Sequence, residues 1–209
     1  MPAAACPLDD VIATELLDQR APRVASGAAE RNAMDELKRA LAGSPRAVLQ
    51  KLVEVGLQLC GAQSAGVSLL EEAEGRRFFR WHAVAGKWSP LLWATLPREF
   101  SPCGTVLDRH QALLMIDPER HFTPLAQVPP RVTEALLVPF AAGGEMVGTV
   151  WVVAHDAAQH FNGEDRRVVT ELTRFAALAY QRLRSFKADD VRELSRMHLV
   201  SEPGKRRQG

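Results

Sequence analysis

Apolar residues recur every three or four positions in several parts of the chain, and this spacing predicts amphipathic helices. The widest apolar stripe follows Ser44 and Pro45, an N-cap and a first helical residue, and it ends at Gly61. A sparser stripe before it fits a helix that pairs with another helix, for example from a second copy of the protein. The predicted helices are 8–19, 28–42, 45–61 and 164–186, with a continuation over 188–198.

Shorter runs that are apolar or alternate with polar residues predict strands. Glu74-Gly75 separates the first two strands, and a small-residue turn at 141–144 separates the last two, so both pairs read as hairpins. Strands joined in this way pair antiparallel, which predicts an α+β fold with helices on one face of the sheet and loops on the other. The predicted strands are 65–70, 77–84, 112–116, 134–140 and 145–154.

The segment 100–122 combines a helix start with a reactive residue type. Ser101 is a good N-cap, Pro102 suits the first helical position, and Cys103 falls in the first turn. A helix N-terminus favours a thiolate, so Cys103 is a candidate nucleophile, redox centre or ligand contact. The alternative is a small apolar residue that fills the turn. The strand after this helix ends at Asp117-Pro118, a turn signal.

Irregular chain lies on both sides of this segment. Residues 86–97 are rich in Trp and Pro, and 121–130 contains three prolines. Long loops in compact domains are usually functional, so we expect aromatic and polar groups here to contact a ligand, whereas Trp81 and Cys60 are predicted core residues. No firm metal-ligand spacing is present, and no metal or cofactor is predicted. The candidate ligand-binding residues are Trp88, Trp93, Phe100, Cys103, His110, Asp117, Arg120 and His121.

Composition excludes several classes of protein. The chain has 209 residues, 46% of them apolar, and a net charge of +1, so nothing in its charge favours nucleic acid or an anionic membrane. No apolar run is long enough to span a membrane, and the first residues lack the pattern of a secretory leader. Three cysteines at 6, 60 and 103 form no disulfide framework. These features predict a cytoplasmic protein with reduced thiols.

The order of elements and several motifs resemble the GAF domain family of small-molecule sensors. The motifs are Phe78-Phe79-Arg80-Trp81-His82-Ala83-Val84-Ala85-Gly86, Ser101-Pro102-Cys103-Gly104, Asp117-Pro118, Leu136-Leu137-Val138-Pro139-Phe140, Gly148-Thr149-Val150-Trp151-Val152-Val153 and Phe161-x-x-x-Asp165. The Ser-Pro-Cys-Gly motif is similar to that of GAF modules in bacterial sensor kinases. The resemblance implies a profilin-like, six-stranded antiparallel sheet, a ligand pocket beneath 86–130, and a homodimer formed through terminal helices.

The resemblance also divides the chain into three parts. An N-terminal helical extension would cover 1–43, the GAF-like sensor domain 44–187, and a C-terminal helix with a disordered basic tail 188–209. Departures from the family's motifs argue against several of the ligands and activities known in it. The cyclic-nucleotide set fails at Ala154, His155 and Arg166, Cys103 lacks the following His of bilin-attaching members, and the other cysteines are not placed for free methionine sulfoxide reduction.

Three hypotheses about function remain open at this point. The first is a sensor that binds an unknown small molecule and acts through a homodimer on a partner protein, without catalysis of its own. The second is a thiol redox enzyme or redox sensor that uses Cys103, similar to the free methionine sulfoxide reductases. The third is a structural adaptor in which the terminal helices join partners and the pocket is vestigial.

Overall fold

The computed structural model describes residues 6–23 and 27–200, with side chains as far as Ser185. The tail 201–209, predicted to be disordered, lies outside the described residues. The helices are α1 (Leu16–Gln19), α2 (Gly27–Ala40), α3 (Pro45–Leu59), α4 (Pro102–Arg109) and α5 (Gly163–Val200). The strands are β1 (Ser64–Ala73), β2 (Arg76–Gly86), β3 (Thr95–Pro97), β4 (Leu113–Ile116), β5 (Glu134–Ala142) and β6 (Glu145–Ala154).

The six strands form one antiparallel sheet in the order β3-β2-β1-β6-β5-β4. The hairpins β1–β2 and β5–β6 lie where the turn residues predicted them, and Gly75, Gly143 and Gly144 adopt the positive φ that these turns require. The predicted fold class is therefore confirmed. The short edge strand β3 was not predicted, because its three residues, which include Pro97, give no periodic signal.

Helices α3 and α5 cover one face of the sheet, and α2 packs against α3. Helix α3 begins as predicted, with Ser44 Oγ accepting a hydrogen bond from the Ala47 backbone N–H at 3.2 Å. Most of its apolar stripe is buried against the sheet and α5, and Leu59 at its end is partly buried. The stripe of α2, which the sequence assigned to a helix partner, packs within the same chain, where Ala33 and Leu37 are buried in this core.

Helix α5 is a single helix where the sequence predicted one helix and a continuation. Its start is fixed by Asn162, whose Oδ1 accepts from the Glu164 N–H at 2.9 Å, while Asp165 Oδ2 accepts from the Asn162 N–H at 3.0 Å. Leu172, Ala176 and Ala179 bury one side of the helix. In the described part of the chain, no helix combines the length and apolar composition that crossing a membrane requires.

The predicted helix over 8–19 is wrong. Residues 8–10 form one 3-10 turn, α1 has four residues, and the chain between them runs along the edge of β4. The Ala13 N–H donates to the Leu114 carbonyl at 2.9 Å, and the Ile116 N–H donates to the Val11 carbonyl at 2.8 Å. The apolar residues of this segment pack it onto the domain and do not form a helix stripe. Val11 and Leu17, for example, are buried.

A buried carboxylate joins the segment around α1 to the start of α5. Glu134 is 3% exposed and accepts two hydrogen bonds from the Arg20 guanidinium, at 2.7 and 2.9 Å. It also accepts from His160 Nδ1 at 2.6 Å and from the Phe161 backbone N–H at 3.1 Å. Burial by itself would raise the pKa of Glu134, but these hydrogen bonds outweigh burial and hold the pKa below its ordinary value. The boundary predicted at residue 43 stays a prediction.

Candidate ligand-binding site

The face of the sheet opposite α3 is covered by a layer that we call the roof: helix α4 with the segments 87–92, 98–101 and 117–133. A second apolar core lies between this roof and the sheet. Three tryptophans form its centre. The Trp81 ring lies 5.3 Å from Trp88 in a stacked arrangement and 5.0 Å from Trp151, and Trp88 meets Trp151 edge-on at 5.9 Å. Each of the three is only 3% exposed.

Local backbone features place these rings. A register shift between Val67 and Ser68 skips His82, so Trp81 faces the roof. Gly66 leaves room for the Trp151 ring, because a Cβ at Gly66 would lie 2.6 Å from Trp151 Cε2. The backbone N–H of Trp88 donates to Ser64 Oγ at 3.1 Å, which fixes the start of the roof against β1.

A cavity of about 30 Å³ remains between the tryptophans and the roof. That volume holds about two water molecules, far less than the 300 Å³ or more typical of pockets for drug-sized ligands. The roof is therefore nearly closed on the sheet. The cavity is lined by Trp81, Trp88, Leu96, Pro102, Cys103, Pro118, Leu125, Val132, Ala135, Leu137, Trp151 and Val153.

Two residues that line the cavity carry a buried donor without a partner. The indole Nε1 atoms of Trp81 and Trp88 are buried and form no hydrogen bond with any residue that the structure describes. A buried donor left unsatisfied costs about 1–3 kcal/mol. The third indole differs, because Trp151 Nε1 donates to Ser68 Oγ at 2.9 Å. Among the three indoles, the donors without a partner are therefore those of the two stacked rings.

Cys103 lies in the first turn of α4, as predicted, with Ser101 Oγ accepting from the Gly104 N–H at 3.1 Å. Its thiol is 2% exposed, lines the cavity, accepts from Thr149 Oγ1 at 3.3 Å and donates to Ser68 Oγ at 3.5 Å. Burial raises the pKa of Cys103, and the hydrogen bonds with Thr149 and Ser68 only partly oppose this. The expected thiolate is therefore not favoured, because loss of water outweighs the helix N-terminus.

We expect the thiol of Cys103 to be alkylated by iodoacetamide about 100-fold more slowly than that of the half-exposed Cys6 at neutral pH, because the roof must open first. Peptide mass spectrometry of timed, quenched reactions gives both rates. Cys60, buried in the helix-side core with its pKa raised well above the ordinary value by burial, serves as the protected reference. In denaturant all three should react alike. Equal native rates for Cys103 and Cys6 would contradict a closed roof.

The eight candidate residues do not form one cluster. Only Trp88 and Cys103 line the cavity. Phe100 and His121 lie in the roof, with ring centroids 5.4 Å apart and Phe100 37% exposed. His110 ends α4 with a positive φ and is exposed. As ligand contacts, all eight stay predictions.

Asp117 and Arg120 belong to the outer part of the roof. Asp117 has a positive φ, and its carboxylate lies 3.6 Å from the Arg131 guanidinium. Arg120 is exposed, and its carbonyl accepts from the Cys6 N–H at 2.9 Å. Sequence reasoning missed Glu119, which is 8% exposed and accepts from Arg131 Nε and from the Val132 N–H at 3.2 Å. An acidic residue in a proline-rich loop gives no sign of such an anchor.

Trp93 lies on the helix side of the sheet and not with the other tryptophans. Its ring meets His82 edge-on at 5.2 Å, and the Arg46 guanidinium lies 5.2 Å from its centroid. It borders an open crevice of about 410 Å³ that also includes Tyr180 of α5. Trp88 and Trp93, both candidate ligand contacts, therefore lie on opposite sides of the sheet. Among the described residues, no group of three or more His, Cys, Asp or Glu is placed to hold a metal ion.

Comparison of the sequence with models of protein families gives a match to the GAF domain over residues 42–181. No curated protein sequence matches the chain. Two thirds of the chain thus matches one domain family. The match starts near the N-cap of α3 and ends within α5.

Solved structures with the same fold are distant in sequence. The GAF domain of a phosphoenolpyruvate-protein phosphotransferase from Coxiella burnetii is 18% identical, with a TM-score of 0.61 over 76% of this chain and 95% of that one. A free methionine-R-sulfoxide reductase from Neisseria meningitidis, solved with its substrate, is 16% identical, with a TM-score of 0.58 over 79% and 98%. The GAF-B domain of DevS from Mycobacterium smegmatis is 20% identical, with a TM-score of 0.54 over 69% and 98%.

Proposed function

Because this chain belongs to the GAF domain family, whose members are small-molecule-binding signalling modules, we propose that it is a sensor whose ligand binds between the sheet and the roof. The observation that carries the proposal is the cavity between the tryptophans and the roof; two of the residues that line it, Trp81 and Trp88, have buried donors that no described residue satisfies. A domain that needed only a stable core would gain by filling this space, since voids and unmet donors both cost free energy.

Binding of anything larger than a few atoms requires the roof to move. The cavity wall on the roof side consists of side chains from short segments, including Leu125 from a 3-10 turn and Val132 from the connection before β5. Such segments form few regular backbone hydrogen bonds and open at lower cost than strands or long helices. We therefore place the ligand-dependent movement in 117–133.

The output of the sensor is proposed to pass through the terminal helices of a homodimer to a partner protein. Helix α5 packs on the sheet with Leu172 and Ala176, carries Leu178 with 47% of its surface exposed, and continues to Val200. A movement at the sheet therefore reaches a helix that extends beyond the domain. The free energy available for this output is the ligand's difference in affinity between the two roof positions.

The test is native mass spectrometry and an absorption spectrum of the freshly purified full chain, repeated on a variant with the cavity filled. Ala135→Val places two methyl groups beside the cavity from β5 and should reduce bound ligand about tenfold or more. Ala141→Val, at an exposed position of the same strand, is the matched control and should leave binding unchanged. If both variants retain the same ligand, the cavity is not the site. If no ligand is found and a metabolite panel raises no melting temperature, the sensor proposal fails.

Thiol chemistry at Cys103 is the second candidate, and the fold likeness to a free methionine-R-sulfoxide reductase motivates it. The raised pKa of Cys103 and the position of Cys60 on the opposite side of the sheet both argue against it. A purified protein that consumes methionine sulfoxide with a thiol reductant, and loses this activity on Cys103→Ser, would favour the enzyme over the sensor.

A further inference from the structure

We infer that the open crevice beside Trp93 is a second binding site, which takes a small organic carboxylate with an apolar body. The crevice has a volume of about 410 Å³ and lies on the helix side of the sheet, away from the roof. Its volume is typical of pockets that hold small organic ligands, and both polar and apolar atoms are exposed in its lining. The inference goes beyond the proposed function, because no part of it involves the roof.

Trp93 has an unfavourable conformation for its residue type. Its φ is 73°, a left-handed backbone conformation that a bulky side chain rarely adopts, and its side chain stays 39% exposed. A glycine at this position would relieve the backbone, and a polar residue would avoid an exposed indole. Strained backbone of this kind is concentrated at functional sites, which favours a binding role for the ring.

The charged anchor of the site is Arg46, in the first turn of α3. Its guanidinium carbon lies 5.2 Å from the centre of the Trp93 ring, and this cation–π contact restricts the side chain. Arg46 forms no ion pair or hydrogen bond through its guanidinium with any residue that the structure describes. Its N–H donors are therefore available to an incoming acceptor. A planar guanidinium matches a carboxylate through two parallel hydrogen bonds.

The other charges of the lining favour an anion. Arg184, on α5, has no acidic partner among the described side chains. Glu71 also lines the crevice, but its carboxylate accepts from Arg80 Nε at 2.9 Å and lies 2.6 Å from His82 Nε2, so its charge is already offset. Glu72, the remaining acid, is exposed, and water screens its charge. The cations without acidic partners therefore decide the charge of the ligand.

The uncharged part of the lining suits an apolar body. Leu69 of β1 and Tyr180 and Leu183 of α5 border the crevice. A ring placed against these side chains would remove apolar surface from water, which stabilises the complex. An inorganic anion or acetate lacks that contribution. Because two of the three residues belong to α5, the ligand would contact the helix that is proposed to carry the output.

Benzoate is the probe, and benzamide and benzamidine are its controls, because the three have nearly the same shape and differ in charge. The experiment uses the full chain with ¹⁵N in the indole of its four tryptophans, and single Trp→Phe variants assign the N–H signals. On titration with benzoate, the Trp93 signal should move to saturation. The signals of the buried Trp81, Trp88 and Trp151 should stay in place. Benzamide and benzamidine should each bind about tenfold more weakly, because neither offers a negative group.

Variants at Arg46 test its role by isothermal titration calorimetry. Arg46→Gln should weaken benzoate binding about tenfold or more, and Arg46→Lys, which keeps the charge and loses the paired hydrogen bonds, about threefold. Arg174→Gln is the matched control. It removes the same charge from an exposed position of α5 outside the crevice, and it should leave the affinity unchanged. Circular dichroism verifies that each variant is folded.

Three outcomes overturn the inference: no saturable movement of the Trp93 signal with benzoate, equal binding of benzoate and benzamide, or an equal loss of affinity in Arg46→Gln and Arg174→Gln. Movement of the Trp81 and Trp88 signals in place of the Trp93 signal would put benzoate beneath the roof. The inference then fails while the proposed function stands.

Discussion

Replacing Gly66 by alanine is expected to destabilise the protein by about 3 kcal/mol, an effect near the upper end for overpacking a core. The new methyl group would lie 2.6 Å from Trp151 Cε2, closer than a Cβ normally approaches another atom. The Trp151 ring has little freedom to move, because Trp81 and Trp88 pack against it at 5.0 and 5.9 Å. Displacement would also break its hydrogen bond to Ser68. Urea denaturation followed by near-ultraviolet circular dichroism measures the loss of stability, and the native spectrum reports the displacement of the Trp151 ring.

A double-mutant cycle identifies the cause. Trp151→Leu removes the ring and costs stability itself, but in that background Gly66→Ala should cost less than about 1 kcal/mol. An equal cost of Gly66→Ala in both backgrounds would show that the glycine is required for the backbone of β1 and not for the tryptophan.

Replacing Glu134 by alanine is expected to cost about 3 kcal/mol, because it leaves the donors of Arg20, His160 and the Phe161 N–H without their acceptor. The loss should be pH dependent. The pKa of Glu134 is lowered in the folded protein, so its contribution is complete above the unfolded-state pKa and is lost as the pH falls through the folded value. The stability difference between the variant and the unchanged protein should therefore narrow as the pH falls below 4.5, the ordinary pKa of a glutamate.

Two further measurements separate this contact from a general effect. Glu145→Ala, at an exposed position at the start of β6, should change stability by less than about 0.5 kcal/mol. Limited proteolysis should cleave near Arg20 faster in Glu134→Ala than in the unchanged protein, because the salt bridge holds α1 in place. A pH-independent loss of stability would mean that the carboxylate acts through packing alone.

The sheet and the helix layer could be predicted from the sequence, because turn and capping residues mark each of their elements locally. Hairpin turns with glycine, such as Glu74-Gly75, and the capping residues Ser44 and Ser101 fix element boundaries within a few residues of themselves. The family resemblance supplied the strand number. The segment 8–19 failed because its apolar spacing fits both a helix stripe and a chain lying along an edge strand, and only the position of β4 decides between them.

The site was harder to predict, because its geometry depends on contacts between residues that are far apart in the sequence. Trp88 and Trp93 lie in one loop with similar surroundings, yet a positive φ at Trp93 and the neighbouring Arg46 draw that ring to the other side of the sheet. The acidity expected of Cys103 followed from its helix position, whereas its burial against Ser68 and Thr149 depends on β1 and β6. The buried carboxylate of Glu134 is paired with Arg20, which is 114 residues away in the sequence.

The pairing of 11–13 with β4 affects any study of this domain in shortened form. A cut at residue 43, where the sequence places a boundary, would remove the backbone partners of Leu114 and Ile116 and leave their strand as a bare edge. Such an edge invites self-association between copies and aggregation. A loss of activity after that truncation would then result from aggregation of the shortened protein. It would say little about signalling by the N-terminal helices.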